Sequence, residues 1–415
     1  MISIAGIELQ DLAAGLGVVA TLFGGGWILG RTLAHGQIRI LDHERNEARK
    51  QAQALMDDLS KIRAASDRSS EDVAALKAEN AILRAAVESG ANGPLIKALQ
   101  ARDAKFKEFR DALMGDEAEL WRLRPPVPPA DFENRIRNSR LKVFMIANLK
   151  GGVGKTTLTA NLAAYFALKR GKRVLLIDFD YQGSLTRTML TAAHTTLGST
   201  ILVDALLDGR FHGADIAKAG RDLSAVLKGA RLFTSGQTFD RVENRLMMRW
   251  LVGEESSDVR YRLAELLLSK PVQDEFDIVL IDAPPRLSLG TLNALCASHA
   301  ILVPTILDAL SVDAVGQFLL RANAFRPLNK GLEFAGVIAS NTSQTALTND
   351  EQMARDSAKL ALADWHGRSH MFAHNIRYFT ALARAAGRGI GYVDNAAVRN
   401  AFIALGDEIA EQMNL

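Results

Sequence analysis

The sequence of 415 residues predicts an α/β fold, a doubly wound and mostly parallel sheet, in the part of the chain after residue 140. Three observations lead there. Apolar runs of strand length recur at 143–147, 174–177, 278–281, 300–303 and 334–339, with helix-length segments between them. The runs are apolar throughout rather than alternating, as strands covered on both faces are. The first run also leads directly into a glycine-rich turn and then a helical pattern, the strand–loop–helix order found in such sheets.

Composition agrees with an ordered chain. Hydrophobic residues make up 48% and charged residues 23%, enough apolar surface to build a large core. The net charge of +3 is too small to identify a nucleic-acid partner. Cys296 is the only cysteine. No internal disulfide can form, which suits a reducing compartment.

Four regions follow from the composition along the chain. Residues 1–35 contain an uncharged run from Leu12 to Gly30. As a helix it spans about 28 Å, close to the thickness of a hydrocarbon core. Glu8 and Asp11 precede it, and Arg31, Arg39, Arg45, Arg49 and Lys50 follow. That asymmetry predicts a single-pass transmembrane helix in a bacterial inner membrane with the remainder on the cytoplasmic side. Residues 36–90 carry heptads. Eleven of the fifteen a and d positions from Ile38 to Val87 are apolar, which predicts a long coiled-coil helix. Asn80 at an a position favours a parallel, in-register pair. Residues 91–140 read as a helix followed by a linker broken by Pro125, Pro126, Pro128 and Pro129. Residues 141–415 hold the α/β domain.

The glycine turn reads Asn148-Leu149-Lys150-Gly151-Gly152-Val153-Gly154-Lys155-Thr156-Thr157. Glycines let the backbone curl so that its N–H groups converge on phosphate oxygens, and the following helix adds its N-terminal dipole. Gly151 to Thr157 are therefore the candidate nucleotide-binding residues of a phosphate-loop (P-loop) NTPase. Lys155 is placed to reach the β- and γ-phosphates, and the Thr156 hydroxyl to bind Mg²⁺. Two further strand ends carry carboxylates. Asp178 and Asp180 close the run at 174–177, and Asp282 closes the run at 278–281. Ligands bind at the carboxyl ends of strands in such sheets.

These motifs resemble the ParA/MinD deviant-Walker ATPases over residues 141–412. The resemblance implies that Lys150 is the signature lysine, reaching across a face-to-face homodimer to the other subunit's ATP. It implies that Asp178 lies near Mg²⁺, that Asp180 orients the attacking water, and that Asp282 holds the metal's water shell. The family usually has proline after the second aspartate; here Tyr181 stands there. The segment Gly336–Asn341 resembles the strand whose terminal asparagine, here Asn341, reads adenine. Phe372–Arg377 resembles the loop flanking the base. ATP and Mg²⁺ are the implied cofactors.

The resulting expectation is a membrane-anchored ATPase that acts as a nucleotide switch for a protein partner. One alternative is a DNA-segregation or positioning ATPase that binds nonspecific DNA through Arg377, Arg384, Arg388 and Arg399. Another, a bacterial tyrosine kinase, fits poorly, because no tyrosine follows Tyr392. His366, His370 and His374 share a four-residue spacing that metal ligands use on a helix, but Gly367 interrupts it. The last helix carries Asp407, Glu408 and Glu411, the wrong sign for a membrane-binding tail.

Overall fold

The computed structural model describes residues 117–196, 203–209, 211–236, 238–343, 346–362 and 371–415, with Ala104, Lys107 and Asp111. All of these but Ala104 belong to a compact unit running from Lys105 to Leu415. The run at 12–30 and the heptads at 38–87 lie outside the described residues. Among the described residues, no helix is long and apolar enough to cross a membrane.

Among the described residues, the core is one sheet of eight strands. They are β1 (Lys142–Ile146), β2 (Val174–Asp178), β3 (Arg221–Asp222), β4 (Arg231–Phe233), β5 (Ile278–Asp282), β6 (Ala300–Ile306), β7 (Glu333–Thr342) and β8 (Ile376–Arg377). Their order across the sheet is β3-β4-β2-β5-β1-β6-β7-β8. Every neighbouring pair is parallel except β3 with β4. The five apolar runs are β1, β2, β5, β6 and β7. The three remaining strands are two or three residues long, too short to carry a periodic signal.

Burial on both faces explains the unbroken apolar runs. Val143 and Met145 of β1, with Val279 and Ile281 of β5, face one core. Phe144, Ile146, Ile278 and Leu280 face the other. The helices Phe239–Val252, Leu289–Ala297 and Ala309–Ala324 cover the first face. The helices Lys155–Ala164 and Ala396–Gln412 cover the second.

The proline-rich segment packs into this unit. Trp121, in the helix Glu117–Arg122, stacks on Trp250 with ring centroids 5.9 Å apart. Phe132 meets the edge of Tyr261 at 5.1 Å. Prolines supply no N–H, and the extended chain around them leaves carbonyls without partners. Arg260, only 1% exposed, satisfies them. It donates to the carbonyls of Trp121 at 2.6 Å, Arg124 at 3.2 Å and Pro125 at 3.1 Å. Its buried charge is balanced by Asp258 at 2.6 Å. The other interactions of Asp258 include accepting the Val127 N–H at 3.1 Å.

Candidate nucleotide site

Strand order assembles the site. β2, β5 and β1 are adjacent, so the residues at their carboxyl ends lie side by side. Asp178 is the register partner of Asp282, and Asp282 is that of Ile146, which leads into the glycine loop. Residues more than a hundred positions apart thus surround one cavity of about 530 Å³, lined by Gly151, Lys155, Thr156 and Asp180 among others.

The loop needs its glycines. Gly152 has φ 75° and Gly154 φ 93°, a region that side chains disfavour. Gly154 begins the helix Lys155–Ala164, and no side chain caps it. Its first N–H groups are therefore available to an anion. Side chains hold the loop from behind. Asn148 donates to the Pro304 carbonyl at 2.9 Å and accepts the Lys150 N–H at 3.0 Å. Ser340 Oγ donates to the Val153 carbonyl at 2.7 Å.

Lys155 is buried and its Nζ donates to the Lys150 carbonyl at 3.0 Å. Burial lowers its pKa, and the nearby Asp282 and Asp180 partly offset that effect. An ammonium held in so dry a place favours an anionic partner. Thr156 Oγ1 donates to Asp282 Oδ2 at 2.7 Å. The second oxygen of Asp282, Oδ1, is buried without a hydrogen-bond partner. Asp178 is also fully buried, but both its oxygens are engaged. Oδ2 accepts the Thr186 N–H at 2.8 Å and hydroxyl at 2.7 Å, and Oδ1 accepts the Asp180 N–H at 3.1 Å.

Burial pushes the carboxyls of Asp178 and Asp282 above the usual range, and the negative charge of Asp178 raises Asp282 further. Two adjacent buried carboxylates are costly without a cation. The orphaned Asp282 oxygen beside the Thr156 hydroxyl is a hard-oxygen donor set, and it fits Mg²⁺. Asp178 spends its oxygens on tying the 178–186 turn together, one step behind that set.

Lys150 is turned onto its own chain. Its Nζ lies 3.2 Å from Asp308 Oδ1 and 2.7 Å from Ser311 Oγ. Asp308 caps the helix Ala309–Ala324 through the Ser311 N–H at 2.8 Å. Asp180 borders the cavity, and its Oδ1 accepts the Gln182 N–H at 3.0 Å. Asn341, at φ 55°, borders an adjoining pocket with Tyr378 and Phe379.

Asn148, Ser340, Asp308 and Glu243 (described below) escaped the sequence reading. Only Asp308 left a local trace, an aspartate three residues before a serine at a helix start. His366 and His370 lie outside the described residues. His374 is engaged with Glu408 at 2.7 Å. Among the described residues, no cluster of His, Cys, Asp and Glu is arranged to hold a metal.

A parallel sheet with a phosphate loop after its central strand and acidic strand ends beside it defines a P-loop ATPase of the α/β class. Comparison with known proteins makes this specific. A family model described as an AAA domain matches residues 141–334. Chromosome partitioning protein ParA of Caulobacter vibrioides is 32% identical over 225 residues, covering 52% of this chain and 75% of that protein. Chromosome-partitioning ATPase Soj of Thermus thermophilus is 34% identical over 204 residues, covering 49% and 70%. Among solved structures, apo McdA of Cyanothece matches with a TM-score of 0.53 at 21% identity, covering 66% of this chain and 99% of that one. At that identity the likeness is one of fold. The chain belongs to the ParA/Soj family of P-loop ATPases.

Proposed function

We propose that this ATPase is a Mg²⁺-dependent nucleotide switch whose ATP-bound form pairs two copies face to face and presents a surface to a protein partner. The observation that carries the reading is the Thr156–Asp282 hydrogen bond with the buried, orphaned oxygen of Asp282, together with the buried ammonium of Lys155. Thr156 and Asp282 would hold the ion, which neutralises charge on the phosphates when bound. Gly151 to Thr157 cradle the phosphates with backbone N–H groups, and Asn341 borders the pocket for the base. Lys155 pairs with the terminal phosphates. Asp180 orients water for attack, a step in which positioning dominates. Lys150 leaves Asp308 and reaches the nucleotide of the second copy.

The uncharged run at 12–30 and the basic residues after it support anchoring in the inner membrane with the ATPase domain in the cytoplasm. The heptads at 38–87 support a permanently paired chain. The test is ATP turnover with and without Mg²⁺, together with sizing of Asp180→Ala and Lys155→Ala in ATP. Asp180→Ala should accumulate as the closed pair and Lys155→Ala should not. Absence of ATP binding by the unmodified protein would sink the reading.

A second reading is supported by a basic surface near the site. Arg377, Arg384 and Arg388 are exposed, and ParA-like relatives are named for chromosome partitioning. ATP-dependent binding to random duplex that weakens steeply with salt would favour it. Binding to a protein partner in the presence of excess duplex would favour the first.

A further inference from the structure

Tyr181 replaces the expected proline directly after Asp180, and it is half-buried and engaged by Glu243, Arg286 and Phe239. Its hydroxyl donates to Oε2 of Glu243 and accepts from the guanidinium of Arg286. The same guanidinium lies over its ring, 4.2 Å from the centroid. The ring also meets Phe239, tilted, with centroids 5.5 Å apart. Glu243 is 3% exposed. Its other oxygen, Oε1, accepts the Ser288 hydroxyl at 2.9 Å and the Gly290 N–H at 2.5 Å. A side chain on Gly290 would come within 3.0 Å of that oxygen, so glycine permits the approach.

We propose that Tyr181, Glu243 and Arg286 form a latch that positions Asp180 in the phosphate cavity, by fixing the switch turn against the loop that follows Asp282. The inference rests on the role given to Asp180 above. Three segments meet at the latch: the turn after β2, the loop after β5, and the middle of the helix Phe239–Val252. The first carries Asp180 into the phosphate cavity, and the second borders the cavity through Pro285. The third is the fixed reference. Its far end is clamped by Trp250, which stacks on Trp121 and lies under the Arg260 guanidinium at 4.6 Å. A buried carboxylate on a clamped helix can hold a phenol to within the tolerance that hydrolysis needs. Proline in that place would restrict the turn through its ring. Tyrosine achieves the restriction through tertiary contacts instead, and Tyr181, Glu243 and Arg286 act as positioning residues only.

The test uses the full chain with Tyr181→Phe and Glu243→Gln. Phenylalanine keeps the ring on Phe239 and under Arg286 but loses the hydroxyl. Glutamine keeps the shape and loses the charge. Tyr181→Phe should lower kcat by about ten-fold while KM for ATP and melting temperature stay near those of the parent, as displacing one water-orienting group does. Glu243→Gln should fall between. Amide exchange in the nucleotide-free protein gives a second readout that needs no turnover. The Gln182 and Gly183 amides, bonded to Asp180 at 3.0 and 2.9 Å, should exchange faster in Tyr181→Phe. Unchanged exchange at these amides overturns the latch, as does faster exchange with an undiminished kcat. If the parent protein turns over no ATP, the ATPase reading fails, and exchange alone decides whether Tyr181 holds the turn.

Discussion

Lys150 and Lys155 sit five positions apart on one loop, yet their surroundings differ. Lys155 is buried against the loop carbonyl. Lys150 is about one-third exposed and pairs with Asp308, which is 44% exposed. A pair that open to water contributes roughly 0.2–1 kcal/mol, little enough for a polyphosphate to displace it. Lys155→Ala should abolish ATP binding, measured by calorimetry. Lys150→Ala should retain most of the binding but lose ATP-dependent pairing, measured by sizing or cross-linking. Asp308→Ala, which frees the lysine, should pair at lower ATP concentration. Equal pairing by Lys150→Ala and the parent protein would remove the lysine from the proposed contact. Lys155, Thr156, Asp178, Asp180 and Asp282 were legible as candidates because glycine spacing and acidic strand ends are local signals, whereas Lys150 stood out only through the family resemblance. Where Lys150 rests without nucleotide was not, since Asp308 lies 158 positions away.

The helix Phe239–Val252 joins two distant parts of the structure, and nothing in its local sequence announces it. Its residues Glu243 and Trp250 are buried, one against the switch and one against the segment 117–127. Truncating a buried tryptophan costs on the order of 3–5 kcal/mol. Trp250→Ala should therefore lower the unfolding free energy by about that amount in a denaturant titration, and expose residues 117–127 to protease. A change below about 1 kcal/mol would mean that the stack is incidental packing. Gly154→Ala is a different kind of lesion. Its φ of 93° makes any side chain strained, so nucleotide affinity should fall more than stability. The apolar strands were readable because both faces are covered. The prolines at 125–129 read as a linker because proline breaks regular structure. Their docking depends on Arg260, whose partners lie 135 to 139 positions away.

For the whole molecule, the buried carboxyls set a pH dependence. Burial raises Glu243 from its ordinary value of 4.5 to about 7, despite Arg286, Ser288 and Gly290 beside it. The folded state thus holds a proton that the unfolded chain has already released. This contribution to stability is full below about pH 4.5 and is lost as pH rises through about 7. Glu243→Gln should flatten the fall in melting temperature across that window; an identical fall in the variant would show that Glu243 is not its source. The proposed pairing through the heptads makes a separate prediction. If it holds two ATPase domains at an effective concentration of order millimolar, closure occurs within one assembly. Turnover per chain should then stay constant over a dilution of about a hundred-fold. A steep decline at low concentration would refute the tether.

By itself the sequence determined the α/β class, the five long strands and the composition of the phosphate loop. Each depends on neighbours within a few residues: apolar runs, glycines that permit positive φ, and carboxylates at strand ends. The tertiary structure alone decided which carboxylate oxygen stays unpartnered, where Lys150 rests, and what secures Tyr181 in place of proline. Those depend on strand order and on contacts between segments far apart in the chain. A linear pattern does not encode them, because the same local residues fit many arrangements, and only the packed core selects one.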